Sequence, residues 1–267
     1  MHEFSYFHPA SLDEAKKILA GAEEGYCLAG GMSLLPTMKL RLSSPKSLVN
    51  ISTLPELSGI RLSGDALVIG AATTHYQVLS SEVVDGHIPA LSSLAKGIAD
   101  VQVRYRGTIG GSVANADPAA DYPAAMLGLG CTIVTDRREI HADDFFLGLF
   151  ETALQPGEII VQFRIPIPRR AIYLKMANMA SRFAIVGVFV AECQDGARVA
   201  VTGAASCAFR ARQFEKLLNR QWDAGALDDV DVPEDELLSD HHASAQYRAH
   251  LIRLMTQRAV SQLEIPA

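Results

Sequence analysis

Ala29-Gly30-Gly31-Met32-Ser33-Leu34-Leu35-Pro36-Thr37-Met38-Lys39 and Thr108-Ile109-Gly110-Gly111-Ser112-Val113-Ala114-Asn115-Ala116-Asp117-Pro118 are the two stretches that decide how this chain folds. Each sets a glycine pair beside a small hydroxyl residue. Glycine lets the backbone approach an anion closely and permits turns in which several N–H groups converge, and Ser33 and Ser112 add hydroxyl donors. Both pairs read as turns where a strand gives way, the first after Tyr26 to Ala29, with Ser33 placed to cap a short helix that has Pro36 in its first turn. A single glycine pair is more often an ordinary turn, but two such loops suit a pyrophosphate. Neither is a G-x-x-x-x-G-K-S/T loop nor a G-x-G-x-x-G fingerprint, so kinase-like phosphoryl transfer and a Rossmann site lose their usual support.

Outward from these loops the pattern mixes helices and strands. Ser11 and Glu14 form a capping-box spacing, and Leu12, Ala15, Ile18 and Leu19 line one helix face up to Gly21. Ser47 to Ile51 reads as a strand, and Ile60 to Leu62 with Leu67 to Ile69 read as a hairpin around Gly64-Asp65. Pro89 to Ile98 has helical spacing, Gln102 to Gly107 is a polar stretch, and Asp121 opens a helix from Tyr122 to Leu129. Cys131 to Val134 and Glu139 to His141 suggest a second hairpin, and Ile159 to Ile165 one more strand. Pro166 and Pro168, beside Arg169 and Arg170, mark the best candidate boundary. Beyond it, strand-like runs at Phe183 to Ala191 and Arg198 to Thr202 precede helices near 210–219 and 243–263, separated by a solvated acidic loop from Asp228 to Asp240.

The 267 residues carry 49% apolar and 20% charged side chains, a globular composition long enough for two compact domains. No apolar run approaches the roughly twenty residues of a membrane span. Met1-His2-Glu3-Phe4-Ser5-Tyr6 has neither the basic start nor the apolar core of a secretory signal, so a cytoplasmic location is expected. A net charge of −6 without a dense basic tract argues against nucleic-acid binding. Cys27, Cys131, Cys193 and Cys207 are too scattered for a zinc or iron–sulfur site and read as buried thiols.

The paired glycine motifs, in this order, resemble the FAD-binding medium subunit of the xanthine dehydrogenase and carbon monoxide dehydrogenase family of molybdenum hydroxylases, and the likeness runs along essentially the whole chain. Phe4 to Ala15 is similar to the family's opening, and Leu154 to Ile165 to its final flavin-domain strand. The resemblance implies an α+β, vanillyl-alcohol-oxidase (PCMH)-type FAD-binding fold of two subdomains, about 1–57 and 58–167. It also implies a C-terminal domain of sheet and helices over 168–267. By position it assigns non-covalent FAD binding to Ala29, Gly30, Gly31, Met32, Ser33, Leu34, Thr108, Ile109, Gly110, Gly111, Ser112, Asp121, Ile160 and Lys175, with Phe183 where some relatives place an aromatic near the flavin ring. The stretch from Met176 to Arg182 departs from the family's usual basic run. Taken without the resemblance, Lys175 reads as a surface lysine and Phe183 as core packing.

The implied function is electron transfer within a heterotrimer. A small iron–sulfur subunit with 2Fe–2S clusters would relay electrons from a large molybdopterin subunit to this chain's FAD, which reduces NAD or a quinone. A self-sufficient flavin oxidase of the same fold is the alternative, disfavoured by the lack of a His, Tyr and Arg cluster in the last hundred residues. A flavin-free assembly subunit is a third reading, opposed by two intact glycine loops. His75 reads as a hydrogen-bonded structural histidine, and Asp117 with Asp121 offers no third metal ligand.

Overall fold

Ser11 accepts a hydrogen bond from the Glu14 N–H and opens helix α1 (Leu12–Gly21), whose Ala15 and Leu19 are buried. The Glu14 carboxylate reaches back to the Ala10 N–H at 2.7 Å, one residue beyond the usual box. In the computed structural model, which describes residues 1–264, α1 packs on a parallel sheet of β1 (Ser5–Phe7), β2 (Gly25–Leu28) and β3 (Ser47–Asn50) in the order β1-β3-β2. Helix α2 (Leu34–Lys39) follows β2. Ser33 stands at its N-cap position, but its side chain makes no capping bond, because its φ/ψ of −105/−51° are helical where a capping residue is extended.

A second sheet holds β4 (Ile60–Ser63), β5 (Ala66–Gly70), β6 (Thr132–Thr135) and β7 (Glu139–His141), with the small hairpin β8 (Phe146–Gly148) and β9 (Glu151–Thr152) before its central strand β10 (Ile160–Pro166). It is antiparallel throughout, in the order β4-β5-β10-β6-β7. Six helices lie between β5 and β6: α3 (His75–Leu79), α4 (Glu82–His87), α5 (Pro89–Lys96), α6 (Val101–Arg106), α7 (Ile109–Asn115) and α8 (Asp121–Gly128). Helix α6 occupies the stretch that reads as polar loop. It buries no residue, so its sequence shows no apolar stripe, and Asp100 caps it by accepting from the Val103 N–H at 2.9 Å. The second glycine cluster therefore follows a helix and not a strand, and Thr108 caps α7 through the Gly111 N–H at 3.1 Å.

The third sheet is antiparallel: β11 (Arg170–Ala177), β12 (Ala184–Cys193), β13 (Gly196–Thr202) and β14 (Phe209–Arg210), followed by α9 (Arg212–Leu218) and α10 (Ala245–Glu264). Both faces of this sheet are covered. Phe189, Ala191, Cys193 and Ala200 join the cluster formed by Tyr122, Ala125 and Met126 of α8 and by the second sheet. Val186, Val188, Val190, Val199 and Val201 face the opposite way, against Phe214 of α9 and Ile252, Met255 and Ala259 of α10. In the acidic stretch the carboxylates are exposed as expected, but Val230 and Val232 are buried and anchor it. Cys131 and Cys193 are buried, whereas Cys27 and Cys207 are only half-buried.

Candidate functional site

The first glycine loop meets, backbone to backbone, the Arg106-Gly107 segment that leads into the second. A Cβ on Gly30 would lie 2.2 Å from the Arg106 carbonyl oxygen and 2.7 Å from the Gly107 Cα, so only hydrogen fits there. Gly31 turns the chain with φ +73°. None of the N–H groups of Gly30, Gly31, Met32 or Ser33 donates a hydrogen bond among the described residues, and the Ser33 hydroxyl is free of capping duty. Nearly all buried backbone donors are paired in folded proteins, so the free N–H groups of the buried Gly30 and Gly31, followed by those of the exposed Met32 and Ser33, make a run of donors that can receive an anion.

The second loop is built otherwise. The Ile109 N–H donates to the Thr73 carbonyl at 3.0 Å and the Gly110 N–H to the Ala71 carbonyl at 2.9 Å, while the N–H groups of Gly111 and Ser112 are used by Thr108. A Cβ on Gly110 would meet the Ala71 carbonyl oxygen at 2.5 Å, which fixes this turn against the end of β5. What Thr108 to Ser112 offers is an open, Cβ-free surface at Gly111 and the Ser112 hydroxyl. His75 backs this loop: its N–H donates to the Gly107 carbonyl at 2.9 Å, and its ring is buried 5.4 Å from that of Tyr122. Burial, then the nearby Arg104, lowers the His75 pKa to about 4, so the ring is neutral near pH 7. The expectation of a hydrogen-bonded ring does not hold for Nδ1, which is buried without a partner.

Asp121 and Lys175 are brought together, although one opens α8 and the other lies in the third sheet. The Lys175 ammonium is 3.0 Å from the Asp121 carboxylate, and the two side chains are only 9% and 5% exposed. Lys175 is thus no surface lysine. Its two further hydrogen bonds go to the carbonyls of Gly97 and Arg182, each at 3.0 Å, so all three of its protons are donated within the protein. Tyr173, two residues before Lys175 on β11, also donates its hydroxyl to Asp121. Burial raises the Asp121 carboxyl above its usual value, against the pull of Lys175 and Tyr173. Burial and then Asp121 hold the Tyr173 hydroxyl well above its own. A carboxylate has about four acceptor positions, so Asp121 keeps capacity for another hydroxyl.

Other expected residues lie apart from these contacts. Ile160 packs its side chain in the core beneath the second sheet, 5% exposed, and has no polar contact with either loop. Phe183 is 46% exposed, not core, and precedes Ala184, whose N–H donates to the Ala119 carbonyl between α7 and α8. Four contributors were not anticipated: Arg106 and Gly107, which seat Gly30; Tyr173, which holds Asp121; and the Gly97 carbonyl, which receives Lys175. Tyr173-x-Lys175 carries a readable signal, since residues two apart on a strand share a face. That signal needs β11 to be assigned first.

Residues 2–168 match the family described as "FAD binding domain in molybdopterin dehydrogenase". Over nearly its whole length the chain is 33% identical to the glyceraldehyde dehydrogenase medium chain of Sulfolobus acidocaldarius, covering 98% of each protein. It is 35% identical to the carbon monoxide dehydrogenase medium chain of Hydrogenophaga pseudoflava, covering 97% of this chain and 96% of that one. Its fold superposes on a chain of the reconstituted CO dehydrogenase from Oligotropha carboxidovorans with a TM-score of 0.90 and 33% identity, covering 97% of both. Fold and sequence together define a flavoprotein subunit of the PCMH-type α+β fold. The chain belongs to the FAD-binding medium subunits of the molybdenum hydroxylase family, a family of multi-subunit oxidoreductases.

Proposed function

We propose that this chain holds FAD non-covalently with its pyrophosphate between the two glycine loops and passes electrons from iron–sulfur clusters on a small partner subunit to an external acceptor such as NAD or a quinone. The observation that carries the placement is the run of unspent N–H groups from Gly30 to Ser33, pressed against Arg106 and Gly107. Ala29 to Leu34 supply donors to the phosphates, and Thr108, Ile109, Gly110, Gly111 and Ser112 supply the opposing surface and a hydroxyl. Asp121 accepts from a cofactor hydroxyl while Lys175 and Tyr173 hold its orientation, and Ile160 supports the site from the core. FAD supplies the exchange between one-electron donors and a two-electron acceptor; the protein supplies binding, orientation and electrostatics.

The name "medium chain" carried by relatives of equal length favours a heterotrimer with a small iron–sulfur and a large molybdopterin subunit, the latter oxidising the substrate. The family match over residues 2–168 and the three larger, separate sheets favour a division of this chain into a flavin domain over 1–167, with subdomains of about 1–57 and 58–167, and a C-terminal domain over 168–267. A purified chain should show bands near about 370 and 450 nm and release FAD on acid treatment. Colourless protein that takes up no added FAD overturns the cofactor assignment. Purification from the native host without two associated subunits overturns the assembly, and substrate turnover with oxygen by the chain alone points to the self-sufficient oxidase.

A further inference from the structure

The connection between β11 and β12, residues 178–183, carries an exposed aromatic on a tightly organised loop. The Asn178 N–H donates to the Phe183 carbonyl at 2.8 Å and the Arg182 N–H to the Asn178 carbonyl at 2.9 Å, which closes the loop at its base. Inside it, the Asn178 Oδ1 accepts from the N–H groups of Ala180 at 2.9 Å and Ser181 at 3.1 Å. Arg182 has φ +63°, a conformation that residues with a side chain rarely adopt, and its carbonyl is held from beneath by Lys175. Such strain persists only where the surroundings fix it, and it concentrates at binding sites.

A further contact ties the loop to the segment before α10. The Asn178 Nδ2 lies 3.2 Å from the His242 Nδ1, in the turn that Asp240 organises ahead of α10. Because the Asn178 Oδ1 is occupied by two N–H groups, its amide nitrogen is the atom that faces His242; Nδ2 donates and Nδ1 accepts. The loop is therefore gripped by Lys175 from the Asp121 side and by His242 from the far side of the third sheet, while its Arg182 Nη1 donates to the Ala99 carbonyl at 3.4 Å. Between them it presents Phe183, whose neighbour Ala184 donates its N–H to the Ala119 carbonyl, on the segment that joins the second glycine loop to Asp121, at 3.2 Å. Met179, at the tip, is 97% exposed and touches none of this.

We propose that Asn178 and His242 are positioning residues that hold Phe183 against the flavin, so that the turn before α10 contributes to cofactor retention from outside the flavin-binding segments. This rests on the FAD site proposed above and on Phe183 standing where the family resemblance sets an aromatic near the flavin ring. The test is FAD titration of the full-length apo chain, followed by iodide quenching of the bound flavin, for H242A, N178A, H242N, F183A and F183A/H242A. Asn places its Oδ1 close to where the His242 Nδ1 accepts, so H242N should stay within about twofold of the parent, whereas H242A should bind FAD roughly three- to tenfold more weakly, as for loss of one hydrogen bond, and N178A, which removes three, at least as weakly. Their flavin should be more open to iodide. The double variant should be no worse than F183A alone, since His242 acts through Phe183.

Thermal midpoints of the apo proteins guard against a general loss of structure and should agree closely among the variants. If the parent binds FAD and H242A and N178A bind it equally tightly, the clamp is refuted while the FAD site stands. An H242N variant as weak as H242A refutes the hydrogen-bond role, and additive losses in the double variant refute action through Phe183. Failure of the parent itself to bind FAD removes the site and this inference together.

Discussion

At Gly30 the difference between glycine and alanine is a collision with backbone, which cannot rotate away as a side chain would. Gly30→Ala is expected to part the two loops and weaken FAD binding at least about tenfold, with a modest loss of stability, read by titration of the apo chain and its thermal midpoint. Lys175→Met leaves the Asp121 carboxylate buried without its cation, and by about 3–5 kcal/mol it should lower the unfolding free energy measured in denaturant. A neutral change there would show that the pair is dispensable. His75 sets a pH limit. Its folded pKa of about 4 lies below the unfolded 6.5, so the unfolded chain takes up a proton first as pH falls. The associated stability is complete above pH 6.5 and is lost progressively towards pH 4, amounting to about 3 kcal/mol. His75→Gln should flatten the dependence of unfolding free energy on pH across that window. Glu158 adds a second loss at lower pH: burial alone would raise its carboxyl, but hydrogen bonds from Arg138, the Gln155 N–H and Thr135 hold it at about 2, so its contribution fades from pH 4.5 downwards.

Among the elements, an apolar stripe, a turn signal or a long apolar run was legible even where both faces are buried, as in β12 and β13, whereas α6 and β11 offered none of these. Helix α1 announces itself through its cap and its stripe, and the hairpins at Gly64-Asp65 and Asp136 to Arg138 through turn chemistry between alternating strands. Helix α6 is wet all round and β11 is packed on both sides, with Ile172 and Leu174 towards α10 and Ala171 and Tyr173 towards the flavin-binding core, so neither shows a period. The glycine loops were legible because glycine pairs are rare enough to notice. The Tyr173–Asp121–Lys175 cluster was not, because it joins residues 52 and 54 positions apart through an unassigned strand. Phe189, on the neighbouring strand, touches Gly128 of α8 and is fully buried in the core that α8 shares with the third sheet. Phe189→Ala should lower the unfolding free energy by about 3–5 kcal/mol in denaturant titration, and a loss below about 1 would mean that α8 and the third sheet are not tightly packed.

For the whole molecule, the match to residues 2–168 ends before the sheet that closes the core around Tyr122. A fragment truncated after residue 168 loses Phe189, Ala191, Cys193, Ala200 and Ala208 from that core and lacks the partners of Asp121. It is expected to melt without cooperativity, to bind a hydrophobic dye and to take up no FAD. A sharp melt with parental FAD affinity would show that the first 168 residues fold independently of the rest.

The same two-sided sheet also imposes an order on the birth of the protein. The segments that resemble the family's flavin-binding motifs leave the ribosome first, but β12 and β13, which shelter α8, are complete only at Thr202, and His242 follows 40 residues later. At synthesis rates of about 5–20 residues per second, roughly ten to forty seconds separate exposure of the Gly30 loop from the arrival of the turn that secures Phe183. Nascent chains stalled before residue 203 should emerge without flavin, and prosthetic-group loading becomes one of the last events in the subunit's maturation.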